Sequence, residues 1–112
     1  MQEQRQHPRL RVHWRVAVRP DERSMLYGET IDVSLGGACL LVDRNLSGSP
    51  VLQIFIQLPP KRQGQQAAIV SANAKVLYTA FSADHDRWRT GVQFVNFNGP
   101  ERAKLEKELS QH

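Results

Sequence analysis

The sequence predicts a mainly β protein, a small antiparallel β-barrel of six to seven strands with a C-terminal α-helix. Short segments of alternating apolar and polar residues recur along most of the chain, with turn residues between them. The 112 residues, 40% of them hydrophobic, are enough for one compact core and too few for two. Near the C-terminus the apolar spacing changes from two residues to four, which indicates a terminal helix.

Six segments have the pattern of strands. The first covers 12–18, where Val12, Trp14 and Val16 alternate with polar residues, so Trp14 is predicted to face the core. The other strands are predicted over 27–33, 38–42, 52–58, 67–79 and 87–97. The fifth is long enough to need a bend, and Tyr78 is expected at its end. Clusters of Gly, Pro, Asn, Asp and Ser separate the segments and predict turns.

A short amphipathic helix is predicted to start within the segment Asn98-Gly99-Pro100-Glu101. Asn98 is expected to cap it, Pro100 suits its first turn and Glu101 adds an acid near the N-terminus. Leu105 and Leu109 lie four residues apart and therefore form one apolar stripe, which should dock at the mouth of the barrel.

Charge is distributed unevenly. Lysine and arginine total 15 against 11 acidic residues, a net charge of +4. The first 19 residues contain five arginines and one acid; the arginines are Arg5, Arg9, Arg11, Arg15 and Arg19. We therefore expect residues 1–11 to form a flexible basic arm that attracts phosphates, ahead of a single domain over 12–112. Nothing resembles a secretory signal or a membrane span, so the domain is expected to be cytoplasmic.

Catalysis has little support. No nucleophile lies beside a base, no sequence motif for hydrolysis or nucleotide phosphates is present, and the histidines lack metal-ligand spacing. The turn Asp84-His85-Asp86 is interpreted as solvated, because adjacent side chains diverge. Cys39, the one cysteine, lies in an apolar run and is interpreted as an inert core thiol. We expect neither an enzyme nor a metal or cofactor.

Two short patterns carry a possible function. Arg5 and Arg9 are four apart before the first strand; Asp32, Ser34 and a double glycine, Gly36-Gly37, follow the second. If the first two strands form a hairpin with residue 33 opposite residue 12, Arg9 and Asp32 lie at the same end of the sheet.

Arginine can bind phosphates or the guanine edge, a carboxylate can accept from guanine N–H groups, and glycine permits positive φ and close approach to a ligand. The alternative is a turn in which Asp32 and Ser34 cap backbone amides.

The order and spacing of these motifs, RxxxR and then DxSxxG, resemble the PilZ domain, a bacterial receptor module for cyclic di-GMP. Trp88–Phe94 is similar to the late GxxF strand of that family, where Gly91 and Phe94 are interpreted as structural. The resemblance implies that cyclic di-GMP binds the two motifs: Arg5, Arg9, Asp32, Ser34 and Gly37. Many members have a further arginine where this chain has Gln4, which favours one ligand per chain over a stacked pair.

Gln4, Gly36, Arg11 and Tyr78 are secondary candidates for the ligand site, Tyr78 because it could stack on a base. The resemblance implies a receptor or adaptor whose arm changes conformation on binding and which signals to a protein partner. The alternative is a small basic barrel that binds single-stranded nucleic acid. We do not expect that alternative, because exposed aromatics at alternate strand positions, which base stacking needs, are not evident.

Overall fold

The computed structural model describes residues 8–60, 64 and 66–112. It contains six strands and one helix: β1 Arg15–Arg19, β2 Leu26–Val33, β3 Gly37–Val42, β4 Leu52–Leu58, β5 Ala68–Ser82, β6 Arg87–Phe97 and α1 Glu101–Leu109. All strand pairs are antiparallel and the sheet closes as a barrel in the order β1-β2-β3-β6-β5-β4. The predicted fold class is confirmed.

Alternation along the strands builds the core, as the sequence predicts. Inward-facing residues such as Val18, Leu40 and Ile54 are completely buried, and Trp14 is 7% exposed. The Trp14 backbone N–H donates to the hydroxyl of Thr30, 2.9 Å away, and that hydroxyl donates to the Val12 carbonyl. The polar side chain inside this wall is therefore satisfied by the backbone beside it.

The first strand differs from the prediction. Regular pairing begins at Arg15, and Arg15 lies across from Glu29. Leu10 and Val33 form a separate bridge with reciprocal backbone hydrogen bonds of 2.8 and 2.9 Å. Residue 33 therefore lies opposite residue 10 and not residue 12. The β1–β2 register by itself would place residue 33 opposite residue 11, and the pairing shifts by one further residue between the strand and the bridge. Among the described residues, Leu10 therefore pairs with the barrel although it lies inside the predicted arm.

The strand pairings contain three register shifts, one in β2–β3 and two in β5–β6, and two of them lie beside predicted site residues. The pairing of β2 with β3 shifts between Thr30 and Asp32, and that of β5 with β6 shifts between Val76 and Tyr78. Such bulges increase local twist and redirect side chains. Tyr78 lies inside β5, because the strand continues to Ser82; the prediction that Tyr78 ends the strand is wrong.

Helix α1 packs its apolar stripe against the barrel. Leu105 is completely buried and Leu109 is partly buried against the core. The predicted cap is wrong, because Pro100 occupies the N-cap position and no side chain caps the helix; Asn98 contributes its carbonyl to the Glu101 amide. No helix in the described part of the chain is long and apolar enough to cross a membrane.

Candidate functional site

The turn after β2 is closed by its own hydrogen bonds. The Ser34 hydroxyl accepts from the backbone amides of Gly36 and Gly37 at 3.1 and 3.2 Å and is 3.4 Å from the Gly37 carbonyl. The Ser34 amide donates to that carbonyl at 2.8 Å, and the Phe94 amide donates to the Gly36 carbonyl at 2.9 Å. Ser34 is only 6% exposed. These are the capping bonds of the alternative interpretation, so the turn is rigid and attached to β6.

Gly37 and Gly36 do not use the left-handed backbone region that the sequence suggested for them. Among the described residues, positive φ occurs at other glycines and at Asp86. Gly37 is required for a different reason: a Cβ there would lie 2.1 Å from the backbone oxygen of Val92. The close approach made possible by this glycine is between β3 and β6, and not between the backbone and a ligand.

Arg9 and Asp32 do meet, as the hairpin argument predicted. The Arg9 guanidinium lies 3.8 Å from Asp32 Oδ2, with the Arg9 side chain 41% exposed. The other carboxylate oxygen, Oδ1, is buried and has no hydrogen-bond partner within the described residues. A carboxylate oxygen without a donor is costly in a partly buried position, so this edge has unused hydrogen-bonding capacity.

Arg11 is a further arginine of the basic segment near the Arg9–Asp32 pair. It is exposed and follows Leu10, whose backbone pairs with Val33, the residue after Asp32. Arg5 and Gln4 were also predicted at the site, and both lie outside the described residues.

Tyr78 lies on the same outer face as Asp32. The strand registers place Asp32 beside Cys39, Cys39 beside Gly91 and Gly91 beside Tyr78, which forms one row across four strands. The phenol ring packs directly on Gly91, since a Cβ on that glycine would lie 2.1 Å from the ring. Tyr78 is 45% exposed, so its ring is supported from below and accessible from solvent.

Cys39 is buried as predicted, but its position is unexpected. It alternates with the inward-facing Ala38 and Leu40 and therefore lies on the outside of the sheet, where its Sγ is 3.5 Å from the Tyr78 hydroxyl. Burial raises the pKa of the Cys39 thiol, and the hydrogen bond with Cys39, followed by burial, raises the pKa of the Tyr78 phenol. Both groups are accordingly neutral at physiological pH, and Cys39 anchors the aromatic ring.

The resulting surface combines a guanidinium, a carboxylate and an exposed aromatic ring. Arginine binds phosphates, a carboxylate accepts from two neighbouring N–H groups, and a ring stacks on a base. No cluster of three metal-ligating side chains occurs in the part of the chain that the structure describes. In the turn Asp84-His85-Asp86, the His85 Nδ1 atom lies 2.9 Å from the Ser82 hydroxyl. The candidate site is therefore suited to a nucleotide with an exposed base edge.

The fold and this surface define a small β-barrel domain with a polar candidate ligand site on its outer wall. A comparison with family models matches the PilZ domain over residues 3–111, so the chain belongs to the PilZ domain family. The resemblance inferred from the two motifs is thereby confirmed. No curated protein matches the chain.

Solved structures with a similar fold are distant in sequence. One is the Bacillus subtilis inhibitor of motility MotI/DgrA, with a TM-score of 0.76 and 16% identity over 97% of this chain and 51% of that one. YcgR from Escherichia coli in complex with c-di-GMP has a TM-score of 0.72 and 18% identity, with coverages of 97% and 46%.

The K. pneumonia MrkH–c-di-GMP complex has a TM-score of 0.66 and 17% identity, with coverages of 97% and 52%. This chain thus spans about half the length of these three proteins. At such identities the similarity establishes the fold.

Proposed function

We propose that this domain is a receptor for cyclic di-GMP. The observation that carries the proposal is the Arg9–Asp32 pair, in which an exposed guanidinium lies beside a carboxylate that has one oxygen without a donor among the described residues. In this proposal the Asp32 carboxylate accepts from the N1–H and N2–H groups of a guanine, and Arg9 binds a phosphate or the guanine N7 and O6 atoms. Membership of the PilZ family and the two similar c-di-GMP complexes support this choice of ligand.

The remaining predicted residues take secondary roles. Arg5 would supply a second cation from the arm, and Tyr78 would stack on a base from its seat on Gly91. Ser34 and Gly37 would act by holding the turn beside Asp32, since their polar groups already bond each other. We expect one ligand per chain, because residue 4 is a neutral glutamine, which leaves one fewer cation to offset the four phosphates of a stacked pair.

The domain would act as an adaptor and not as an enzyme. Ligand phosphates would neutralise the arginines of the arm, residues 1–11, and change its conformation, and the altered surface would then bind a protein partner. Hydrogen exchange of the amides over residues 5–9 checks this step. Exchange should slow when cyclic di-GMP is added, and amides equally protected with and without ligand would exclude a change in the arm.

Calorimetric titration with cyclic di-GMP tests the ligand. Arg9→Ala should weaken binding at least about tenfold, because a charge-assisted hydrogen bond contributes roughly 1.5–3 kcal/mol. Arg19→Ala is the matched control, since Arg19 is exposed at the far end of β1 and its guanidinium hydrogen-bonds, within the described residues, only to the nearby Glu22 carbonyl, at 3.4 Å. Both variants should unfold at the temperature of the parent protein. Equal affinity in Arg9→Ala and the parent would remove the site assignment.

Nucleic-acid binding is the second candidate, and the structure adds one observation in its favour. Aromatic side chains are exposed after all: Tyr27 at 71%, Phe81 at 52% and Tyr78 at 45%. Tyr27 lies on β2, which is not a neighbour of β5, and Tyr78 and Phe81 are three residues apart on β5 and so face opposite sides of the strand, which leaves no continuous platform for successive bases among these rings. Titration with single-stranded RNA and with GTP distinguishes the two functions. Salt-sensitive RNA binding without cyclic di-GMP binding would establish this alternative.

A further inference from the structure

Arg89 lies close to the candidate site although neither sequence motif includes it. It follows Trp88 on β6 and pairs with Leu41 of β3 and Ala80 of β5. Because side chains alternate along a strand, Arg89 projects from the same outer face as Gly91, two residues further on. Its neighbour on that face is therefore Gly91, on which the Tyr78 ring packs. Gly91 in turn belongs to the row of residues that includes Cys39 and Asp32.

The charge of Arg89 is not neutralised locally. Among the described residues it forms no ion pair and no side-chain hydrogen bond, whereas Arg87, two residues earlier, lies 3.3 Å from Asp43. Asp84 lines a shallow cavity of 340 Å³ with Arg89 but lies beyond ion-pair distance. Arg89 is exposed and therefore available to an anion from solution.

The charges of Arg9 and Arg89 both influence the pKa values of Tyr78 and Cys39. The hydrogen bond with Cys39 and burial raise the pKa of Tyr78, and the positive charges of both arginines partly oppose that rise. The pKa of Cys39, raised mainly by burial, is opposed by the same two charges. The two cations thus both lie near the Tyr78–Cys39 pair, Arg9 at the β2 side of the row and Arg89 on β6.

The charge balance of the site favours a further cation. The Arg9–Asp32 pair has no net charge, so with Arg5 in its proposed role one cation would face the two phosphodiester anions of a cyclic dinucleotide. Neighbouring strands are about 4.8 Å apart and two residues along a strand span about 6.6 Å, so Asp32 and Arg89 are separated by roughly 12 Å of backbone. Long arginine side chains can both reach one ligand across that distance.

We propose that Arg89 is a further ligand-binding residue, which binds a phosphate of the cyclic dinucleotide at the β6 side of Tyr78. This inference rests on the proposed function. The ligand would then extend across β2, β3 and β6, with one base over Tyr78 and a phosphate at each arginine.

Calorimetric titration of Arg89→Gln with cyclic di-GMP, at low and at moderate salt, tests the proposal. Affinity should fall at least fivefold at low salt, and the loss of affinity on adding salt should be smaller than in the parent protein, because one ion contact is missing. Arg87→Gln is the matched control, with the same charge change on the same strand face, and should remain within twofold of the parent. Arg89→Lys should recover part of the affinity.

The outcomes separate the two claims. If the parent protein binds cyclic di-GMP and Arg9→Ala weakens that binding while Arg89→Gln does not, the role of Arg89 is wrong and the proposed function stands. If Arg87→Gln and Arg89→Gln weaken binding equally, only the general field of the barrel is involved and the specific contact is excluded. If the parent does not bind cyclic di-GMP, the proposed function fails and this inference fails with it.

Discussion

The two halves of the second motif lie a few residues apart and use their polar groups in opposite ways. In the turn half, the Ser34 hydroxyl accepts from the amides of Gly36 and Gly37. In the acidic half, Asp32 has one oxygen 3.8 Å from an exposed arginine and another without a donor among the described residues. A continuous motif can therefore combine a structural part with a part that is open to a ligand.

Among changes in the turn half of the motif, Gly37→Ala should have the largest effect on stability. The added Cβ would lie 2.1 Å from the Val92 oxygen, so β3 and β6 would have to separate. We expect a loss of about 3 kcal/mol in the free energy of unfolding, measured by urea denaturation. Gly48→Ala is the control for backbone strain alone, because Gly48 has positive φ with no atom within 4 Å of the new Cβ. Equal losses in both variants would contradict the strand-contact argument.

Ser34→Ala tests the hydrogen bonds of the same half. Removing the hydroxyl leaves two backbone amides without their acceptor, which should lower the free energy of unfolding by about 2 kcal/mol. Ser47→Ala provides the comparison, since Ser47 is exposed and the structure gives its hydroxyl no partner among the described residues. Unfolding curves that coincide for the two variants would show that the turn does not depend on Ser34.

Asp32→Asn tests the acidic half of the motif, where we expect a small effect on stability and a large effect on ligand affinity. The ion pair is partly exposed and contributes little, so the free energy of unfolding should change by less than about 1 kcal/mol. Affinity for cyclic di-GMP should nevertheless fall at least about tenfold, because the amide cannot accept from guanine as a carboxylate does. Asp43→Asn, which breaks the ion pair with Arg87, should leave both quantities near the parent values. A large stability loss in Asp32→Asn would show that Asp32 is structural, like the residues of the turn half.

The smallest expected effect concerns pH and the Cys39–Tyr78 contact. Burial raises the pKa of Cys39 above its ordinary value of 9.0. Below pH 9.0 the thiol is protonated in both states; as pH rises above 9.0 the unfolded chain loses its proton first, so the free energy of unfolding falls. Cys39→Ala should show a weaker fall between pH 8 and pH 10, measured by urea denaturation. An identical pH dependence would mean that the thiol does not contribute.

Much of the architecture could be predicted from the sequence. The alternation of valine, leucine and isoleucine determined which segments are strands, and the ranges of β4 and β6 agree with the prediction at both ends. The change of apolar spacing located α1. The motifs identified the family, and the predicted meeting of Arg9 with Asp32 followed from the length of the first hairpin. These features depend on local periodicity or on short-range connection, which a sequence contains directly.

Contacts between distant strands could be decided only by the tertiary structure. The bulge between Val76 and Tyr78 turned that ring onto Gly91, and the pairing of β3 with β6 brought Cys39 beneath it and Arg89 next to it. No sequence period reports a one-residue shift in pairing, yet such a shift changes the neighbours of every side chain beyond it. The same physical reason explains Gly37, whose need for a missing Cβ comes from a carbonyl 55 positions further along the chain.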